Sequence, residues 1–254
     1  MLDAGLDQAA GLRRLLAPRA LRVHAFALAR HQPAHWIAWL AIALAGLGRK
    51  PVVLDGAGGA LTRCFGLRLR HELADLLQGR ERFEHAAGCA SGVHVLRAER
   101  GLEAFAASGQ PAQQLLQAFA GLPEAFDDLL LALPPAELAC FAAPGHTVPV
   151  LAAVAGRTGA VDSYAMAKQL AEGFGYRRFA CVVLGAAGEA QARAEHARLA
   201  QAAQRFLQAE VAWAGWLPAS GLGAPRAAAG CAQLLLATPP VATGDCTTPV
   251  TTGA

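Results

Sequence analysis

The stretch PVVLDGAGGA, residues 51–60, determines the fold class of this chain. Residues 51–54 form a short apolar run, and Asp55 stands at its end, directly before a glycine-rich turn. A run of this length bounded by a turn is typical of a strand that is buried on both faces of a parallel sheet. The stretch therefore predicts one buried strand of an α/β domain.

Similar apolar runs recur along the chain and alternate with segments of helical periodicity. The predicted strands are 21–28, 51–54, 93–96, 148–154, 179–184 and 211–216. The predicted helices are 33–47, 71–77, 110–120, 160–174 and 189–207, whereas 126–133 fits either a strand or a helix. This alternation predicts an α/β fold, with a mostly parallel sheet covered by helices on both faces.

Length and composition indicate a single domain. The chain has 254 residues, of which 54% are hydrophobic, and residues 19–237 are predicted to form one α/β domain. The longest uncharged apolar run, 36–47, is shorter than the roughly 18–20 residues of a membrane-spanning helix. Residues 238–254 are rich in Thr, Pro and Gly without periodicity, which predicts a disordered tail. Because the sequence shows no secretory signal, we expect a cytoplasmic protein.

The charge and the cysteines argue against two further classes, nucleic-acid-binding proteins and disulfide-bonded proteins. The formal net charge of +3 is too small to predict nucleic-acid binding, and only Lys50 and Lys168 of the 22 basic residues are lysines. The six cysteines contain no Cys-x-x-Cys pair, so we expect reduced thiols, several of them small core residues.

The loops that would hold a ligand lack the usual chemistry. The first strand leads into ARHQPAH, residues 29–35, which has neither the glycines nor the lysine and Ser or Thr of a phosphate-binding loop. The turn at 55–60 fails the dinucleotide spacing because Leu61 takes the place of the third glycine. His31 and His35 have Pro33 between them and no carboxylate nearby, and Asp127 with Asp128 is interpreted as the start of a strand. The sequence thus predicts no catalytic, cofactor-binding or metal-binding residues.

The N-terminal segment 1–18 is predicted to be an amphipathic helix. Its apolar side is formed by Leu6, Ala9, Ala10, Leu12, Leu15 and Leu16, and Pro18 ends it. Periodicity alone leaves two interpretations open: a strap that packs on its own domain, or a docking helix offered to a partner.

Several motifs resemble the FlhG family, which comprises MinD-like ATPases that regulate flagellar number. The match begins with Asp7-Gln8-Ala9-x-x-Leu12-Arg13, which resembles the activator helix of that family. It continues through FGLRLRHELADLLQG at 65–79 and VDSYAMAK at 161–168, and covers roughly residues 3–218 in the family's order. The resemblance implies a P-loop NTPase fold, an ATP–Mg²⁺ site and a partner GTPase of the FlhF type.

The chain departs from that family wherever ATP is handled. In the alignment, Pro33 and Ala34 replace the Lys-Thr pair of the phosphate-binding loop. Asp55 keeps the first acid after the second strand, but Ala57 replaces the second; Ala132 and Pro134 replace the switch aspartate and glycine. Because Mg²⁺ and three phosphates need such groups, we expect a degenerate nucleotide site without bound ATP. Residues 221–237 carry one arginine and are interpreted as a linker, so membrane association is not expected.

The sequence favours a non-catalytic, FlhG-like regulator of flagellar biosynthesis. The partner-binding residues implied by the resemblance are Asp7, Gln8, Ala9, Leu12, Arg13 and Leu15. Two alternatives stay open: an active ATPase with an unconventional nucleotide site, and an antiactivator that binds a flagellar transcription factor. Since the family's dimer is held by ATP, a monomer is expected.

Overall fold

The centre of the sheet is the strand DLLLAL, Asp128–Leu133, in which every residue is buried. The computed structural model describes residues 21–28, 33–144, 147–219 and 224–237. This segment, which fitted a strand or a helix by its sequence, is a strand because it pairs in parallel with a neighbour on each edge. Both rows of its backbone groups are thereby satisfied away from water.

In the described part of the chain, eight strands form one sheet. Their bounds are β1 Arg22–Ala27, β2 Pro51–Asp55, β3 Gly88–Ala90, β4 Val93–Arg97, β5 Asp128–Leu133, β6 Val150–Val154, β7 Arg178–Leu184 and β8 Glu210–Leu217. Their order is β3-β4-β2-β5-β1-β6-β7-β8, and every pair is parallel except the short β3–β4 pair. The predicted α/β architecture with a mostly parallel sheet is confirmed.

Helices connect the strands. Their bounds are α1 His35–Gly46, α2 Ala60–Cys64, α3 Leu73–Leu77, α4 Phe83–Ala86, α5 Glu99–Ala107, α6 Ala112–Ala120, α7 Pro135–Phe141, α8 Arg157–Phe174, α9 Glu189–Leu207 and α10 Ala224–Ala237. The predicted helix 189–207 is reproduced, and the predicted helix 33–47 is α1, two residues shorter at its start and one at its end. None of the helices among the described residues is long and apolar enough to cross a membrane.

The helices bury both faces of the sheet. One core cluster joins alternate strand residues such as Leu129 and Leu131 to helices α3 through α9. The other joins Leu130 and Ala132 to α1, α2 and α10. Successive side chains of a strand point to opposite faces, so each central strand contributes to both clusters.

Several segments differ from their sequence interpretation, and the helices α2, α4 and α5 and the strand β3 were not predicted. Residues 221–237 were interpreted as a linker, but Ala224–Ala237 is a helix that packs on α1 and β8 with Ala228, Cys231 and Leu235 buried. Its alanines and leucines gain their burial from those neighbours, which local sequence does not reveal. The helix α7 was not predicted; it begins directly after β5 because Pro135 stands in its first turn, where proline is favoured.

Candidate functional site

The carboxyl ends of β1, β2 and β5 lie side by side. Ala132 on β5 pairs with Phe26 on β1 and with Asp55 on β2, so these three residues mark one edge of the sheet. In open α/β sheets, ligands bind beyond the carboxyl ends of the strands. This edge is therefore the place where a nucleotide site of the expected fold would be built.

Asp55 is fully buried at that edge, and its oxygens are already occupied. The backbone N–H of Thr62 donates to Oδ2 at 2.7 Å, and the Thr62 hydroxyl donates to the same oxygen at 2.8 Å. The N–H of Ala57 donates to Oδ1 at 3.2 Å. Asp55 therefore closes the turn between β2 and α2. Its carboxylate thus has a structural task in this chain.

Apolar side chains occupy the neighbouring positions. Ala132, which stands where the family has its switch aspartate, is fully buried, and so are Leu133 and Leu138. The side chain of Leu133 lies directly over Gly56, in the space that a side chain at position 56 would need. This contact fills the gap between the ends of β2 and β5.

At the start of α1, no described residue replaces the groups of a phosphate-binding loop. Ala34 precedes the helix without a side-chain cap. Trp36 is fully buried, its ring centroid lies 5.4 Å from that of Phe26 in an edge-to-face arrangement, and its Nε1 has no hydrogen-bond partner among the described residues. Residues 29–32 of the preceding loop lie outside the described residues. Leu28, directly after β1, is buried in the same core cluster as Trp36.

The described groups at this edge do not fit an ATP–Mg²⁺ complex. Mg²⁺ is held by oxygen ligands, usually one or two carboxylates together with phosphate oxygens. Asp55 has its oxygens engaged internally, and the neighbouring positions on β5, Ala132 and Leu133, are hydrocarbon. Arg63 and Arg97 lie at the Gly58–Gly59 turn, on the β4 side of Asp55, and Arg63 donates to the carbonyl of Gly58 at 3.0 Å.

The opposite, amino-terminal edge carries a buried charged network. Asp128 is fully buried at the start of β5, where its Oδ1 lies 2.8 Å from Nε2 of His24 and its Oδ2 accepts from Nε of Arg49. Burial by itself would raise the pKa of Asp128, but the hydrogen bonds from His24 and Arg49 outweigh it and lower that pKa. The bond to Asp128 raises the pKa of Arg49.

Asp127 performs a separate task at the same edge. Its Oδ2 accepts from the backbone N–H of Lys50 at 3.0 Å, which ties the start of β5 to the start of β2. The two aspartates therefore do not form a paired carboxylate site, in agreement with their interpretation as the start of a strand. Among the described residues, no three His, Cys, Asp or Glu side chains gather as metal ligands would.

The predicted partner-binding residues Asp7, Gln8, Ala9, Leu12, Arg13 and Leu15 lie outside the described residues, as does His31. Their place of attachment is visible, because β1 begins at Arg22 on the amino-terminal edge of the sheet. The guanidinium of Arg22 donates from Nη1 to the carbonyl of Leu236 at 2.6 Å, at the end of α10. Residues 1–20 thus join the body at the end of the sheet opposite to the Asp55 edge.

Comparison with known proteins identifies the fold of the chain. No protein-family model and no curated protein sequence matches the chain. Solved structures do resemble it, at low sequence identity. A chain of the MinC:MinD cell division protein complex of Aquifex aeolicus has a TM-score of 0.63 and 17% identity, with 85% of this chain and 96% of that chain covered.

Two further neighbours agree with this result. McdA of Cyanothece, solved in complex with ATP, has a TM-score of 0.59 and 13% identity, with 86% of this chain and 96% of that chain covered. The cell division ATPase MinD of Pyrococcus furiosus has a TM-score of 0.53 and 15% identity, with 86% and 99% covered. Likeness at such identities establishes architecture alone. The chain has the fold of the MinD-like P-loop NTPases.

Proposed function

We propose that this chain is a non-catalytic regulator that uses a MinD-like body as a scaffold and acts by binding a protein partner. The observation that carries the proposal is the contact of Leu133 with Gly56 beside the internally bonded Asp55. A site that transfers a phosphoryl group depends on charged groups aimed at the phosphates and at Mg²⁺. Here the described positions beside Asp55 on β5 hold packed apolar side chains.

The partner proposed is a GTPase of the FlhF type, in a regulator of flagellar biosynthesis located in the cytoplasm. The support is the Asp7-Gln8-Ala9-x-x-Leu12-Arg13 motif, together with motifs that follow it in the order of the FlhG family. Leu12 and Leu15 supply apolar anchoring, as in other helices that dock into a groove. Asp7 and Arg13 orient the segment by charge-assisted hydrogen bonds, and Gln8 extends toward the nucleotide site of the partner.

A MinD-like body is suited to protein partners, since the Aquifex aeolicus neighbour was solved as a MinC:MinD complex. We propose a monomer that binds neither nucleic acid nor membrane. The net charge of +3 is low for a phosphate-binding surface.

The test is binding of the full chain to an FlhF-type GTPase, measured by pull-down and by GTP hydrolysis. We expect a complex and a stimulated GTPase rate, with stimulation lost in Gln8→Ala while binding persists. Gln191→Ala, a change in the body far along the chain, is the matched control and leaves stimulation unchanged. No complex with the wild-type chain contradicts the proposal. A complex with a flagellar transcription activator instead supports the antiactivator alternative.

A further inference from the structure

The outer surface of one helical layer is almost devoid of charge. The helix α1 has 12 residues and contains no Asp, Glu, Lys or Arg, and α10 has 14 residues with Arg226 as its single charged residue. On the other face of the sheet, the 19 residues of α9 include five charged residues, Glu189, Arg193, Glu195, Arg198 and Arg205. A helix that is apolar all round is normally covered on every side.

Large apolar side chains are exposed on this surface. Ile42 is 38% exposed, Leu47 at the end of α1 is 40% exposed, and Leu234 on α10 is 41% exposed. Trp39 and Leu236 are partly buried beside them. These side chains belong to two helices that pack on each other, and we call the outer surface of this helix pair the α1/α10 surface.

We propose that the chain's own residues 3–16 pack on the α1/α10 surface. The first argument is the place where the chain leaves that segment and enters the described body. Arg22, the first residue of β1, donates to the carbonyls of Leu235 and Leu236 in the last turn of α10. The four residues 17–20 can extend about 13 Å, which is enough to bring the segment over the adjacent helix layer.

The second argument is length and pattern. The apolar side of the segment runs from Leu6 to Leu16, about 15 Å as a helix. The helix α1 is about 18 Å long by the same rise per residue. The apolar side of the segment is therefore long enough to cover Ile42 and Leu234 without extending past the ends of α1.

The third argument is charge. Both α1 and α10 follow strands of the parallel sheet and run from its carboxyl edge to its amino edge, where Arg22 lies. The segment runs in the same direction toward Leu21, which places Asp3 and Asp7 over the helix N-termini and near Arg226. Arg13 and Arg14 then lie over the helix C-termini. Each charge meets the helix end that favours it.

The consequence for regulation rests on the proposed function. Leu12 and Leu15 cannot face the α1/α10 surface and a partner at the same time. The partner therefore has to displace the segment, and its apparent affinity is reduced by the fraction of chains in which the segment is docked.

Amide hydrogen exchange of the full chain tests the packing. A helix this short is marginal in water, so protection of residues 8–16 requires docking. We expect these amides to exchange at least about tenfold more slowly in the wild-type chain than in Ile42→Glu/Leu234→Glu. Phe206→Glu, at a site on α9 that is 64% exposed, is the matched control and keeps the protection. Leu12→Ser/Leu15→Ser, which leaves the described body intact, loses it as well.

Three results would overturn the proposal. The first is equal exchange of residues 8–16 in the wild-type chain and both double variants. The second is protection that grows with protein concentration, which identifies a second copy as the occupant. The third is protection that appears only with phosphatidylcholine vesicles, which identifies a membrane. A protected segment combined with no GTPase complex leaves this packing valid and rejects the partner.

Discussion

The side chain of Leu133 lies against the backbone of Gly56, at the point where β2 and β5 end beside each other. These residues are far apart in sequence, and each looks unremarkable alone. Their contact fills the space between the ends of these two strands. Because ligands of open α/β sheets bind at such strand ends, this pair decides what the edge can accommodate.

We predict that Gly56→Ala destabilises the chain by about 1–3 kcal/mol, because the added methyl group collides with Leu133. Urea unfolding measures the effect. Leu133→Ala in the same chain relieves the collision, so the double variant loses less than the sum of the two single variants. Gly46→Ala, at a helix position with open space around it, is the control and leaves stability unchanged or slightly higher. Full additivity of the two changes would show that they do not touch.

We predict that Asp55 stabilises the folded chain and that Mg²⁺ does not change this contribution. Thr62→Val removes the hydroxyl that donates to Asp55 and should cost about 1–2 kcal/mol in the free energy of unfolding. Thr147→Val, a change outside this turn, serves as the comparison. The loss should be the same with and without Mg²⁺, since the carboxylate is engaged by Thr62 and Ala57. A stability of the wild-type chain that rises with Mg²⁺ would argue for a metal site at Asp55.

The melting temperature is expected to stay constant when ATP and Mg²⁺ are added at millimolar concentration. A ligand present at 100 times its Kd stabilises the folded state by about 2.7 kcal/mol. For a chain of this size that corresponds to a rise of roughly 5–10 °C. Mg²⁺ alone is the control. A rise of that order with ATP would instead support the unconventional ATPase.

Stability should fall in acid partly through Asp128. Its pKa is lowered in the folded state, so its contribution is complete above the unfolded value of about 3.9 and is lost as the pH falls through the folded value. Asp128→Asn should therefore be less stable than the wild type at pH 7, by roughly 2–4 kcal/mol, with a smaller further loss down to pH 3. Urea unfolding at several pH values gives both quantities. Glu103→Gln, on the exposed side of α5, should behave as the wild type; an identical pH slope in Asp128→Asn contradicts the assignment.

Thiol labelling should divide the described cysteines into two groups. Cys64, Cys89 and Cys140 are exposed, although partial burial raises the pKa of Cys64, whereas burial raises the pKa of Cys181 and of Cys231 to about 12. Only the thiolate reacts, so iodoacetamide at pH 8 should modify the first three in the native chain and the other two only after unfolding. Peptide mass mapping identifies the sites. Labelling of Cys181 in the native chain would show that the core around β7 opens readily.

Most strands, and the helices α1, α3, α6, α8 and α9, were predicted from the sequence. Apolar runs such as 51–54 and long amphipathic segments such as Glu189–Leu207 can be recognised from the local sequence, because strand and helix periodicity are properties of neighbouring residues. The sequence also establishes that no residue pair in the chain forms a Lys-Thr phosphate loop. Segment 126–133 could not be assigned, since a wholly buried run has no periodicity that separates strand from helix.

Tertiary structure alone decided what each of these residues contacts. The sequence by itself determined the α/β class, and it predicts a nucleotide site without phosphate-binding groups and an amphipathic helix at 1–18. It could not show that Asp55 is bonded to Thr62, that Leu133 covers Gly56, or that Ala224–Ala237 is a helix on α1. Those relationships depend on strand order and register, which bring together residues distant along the chain. Their energies come from burial that exists only once the sheet has formed.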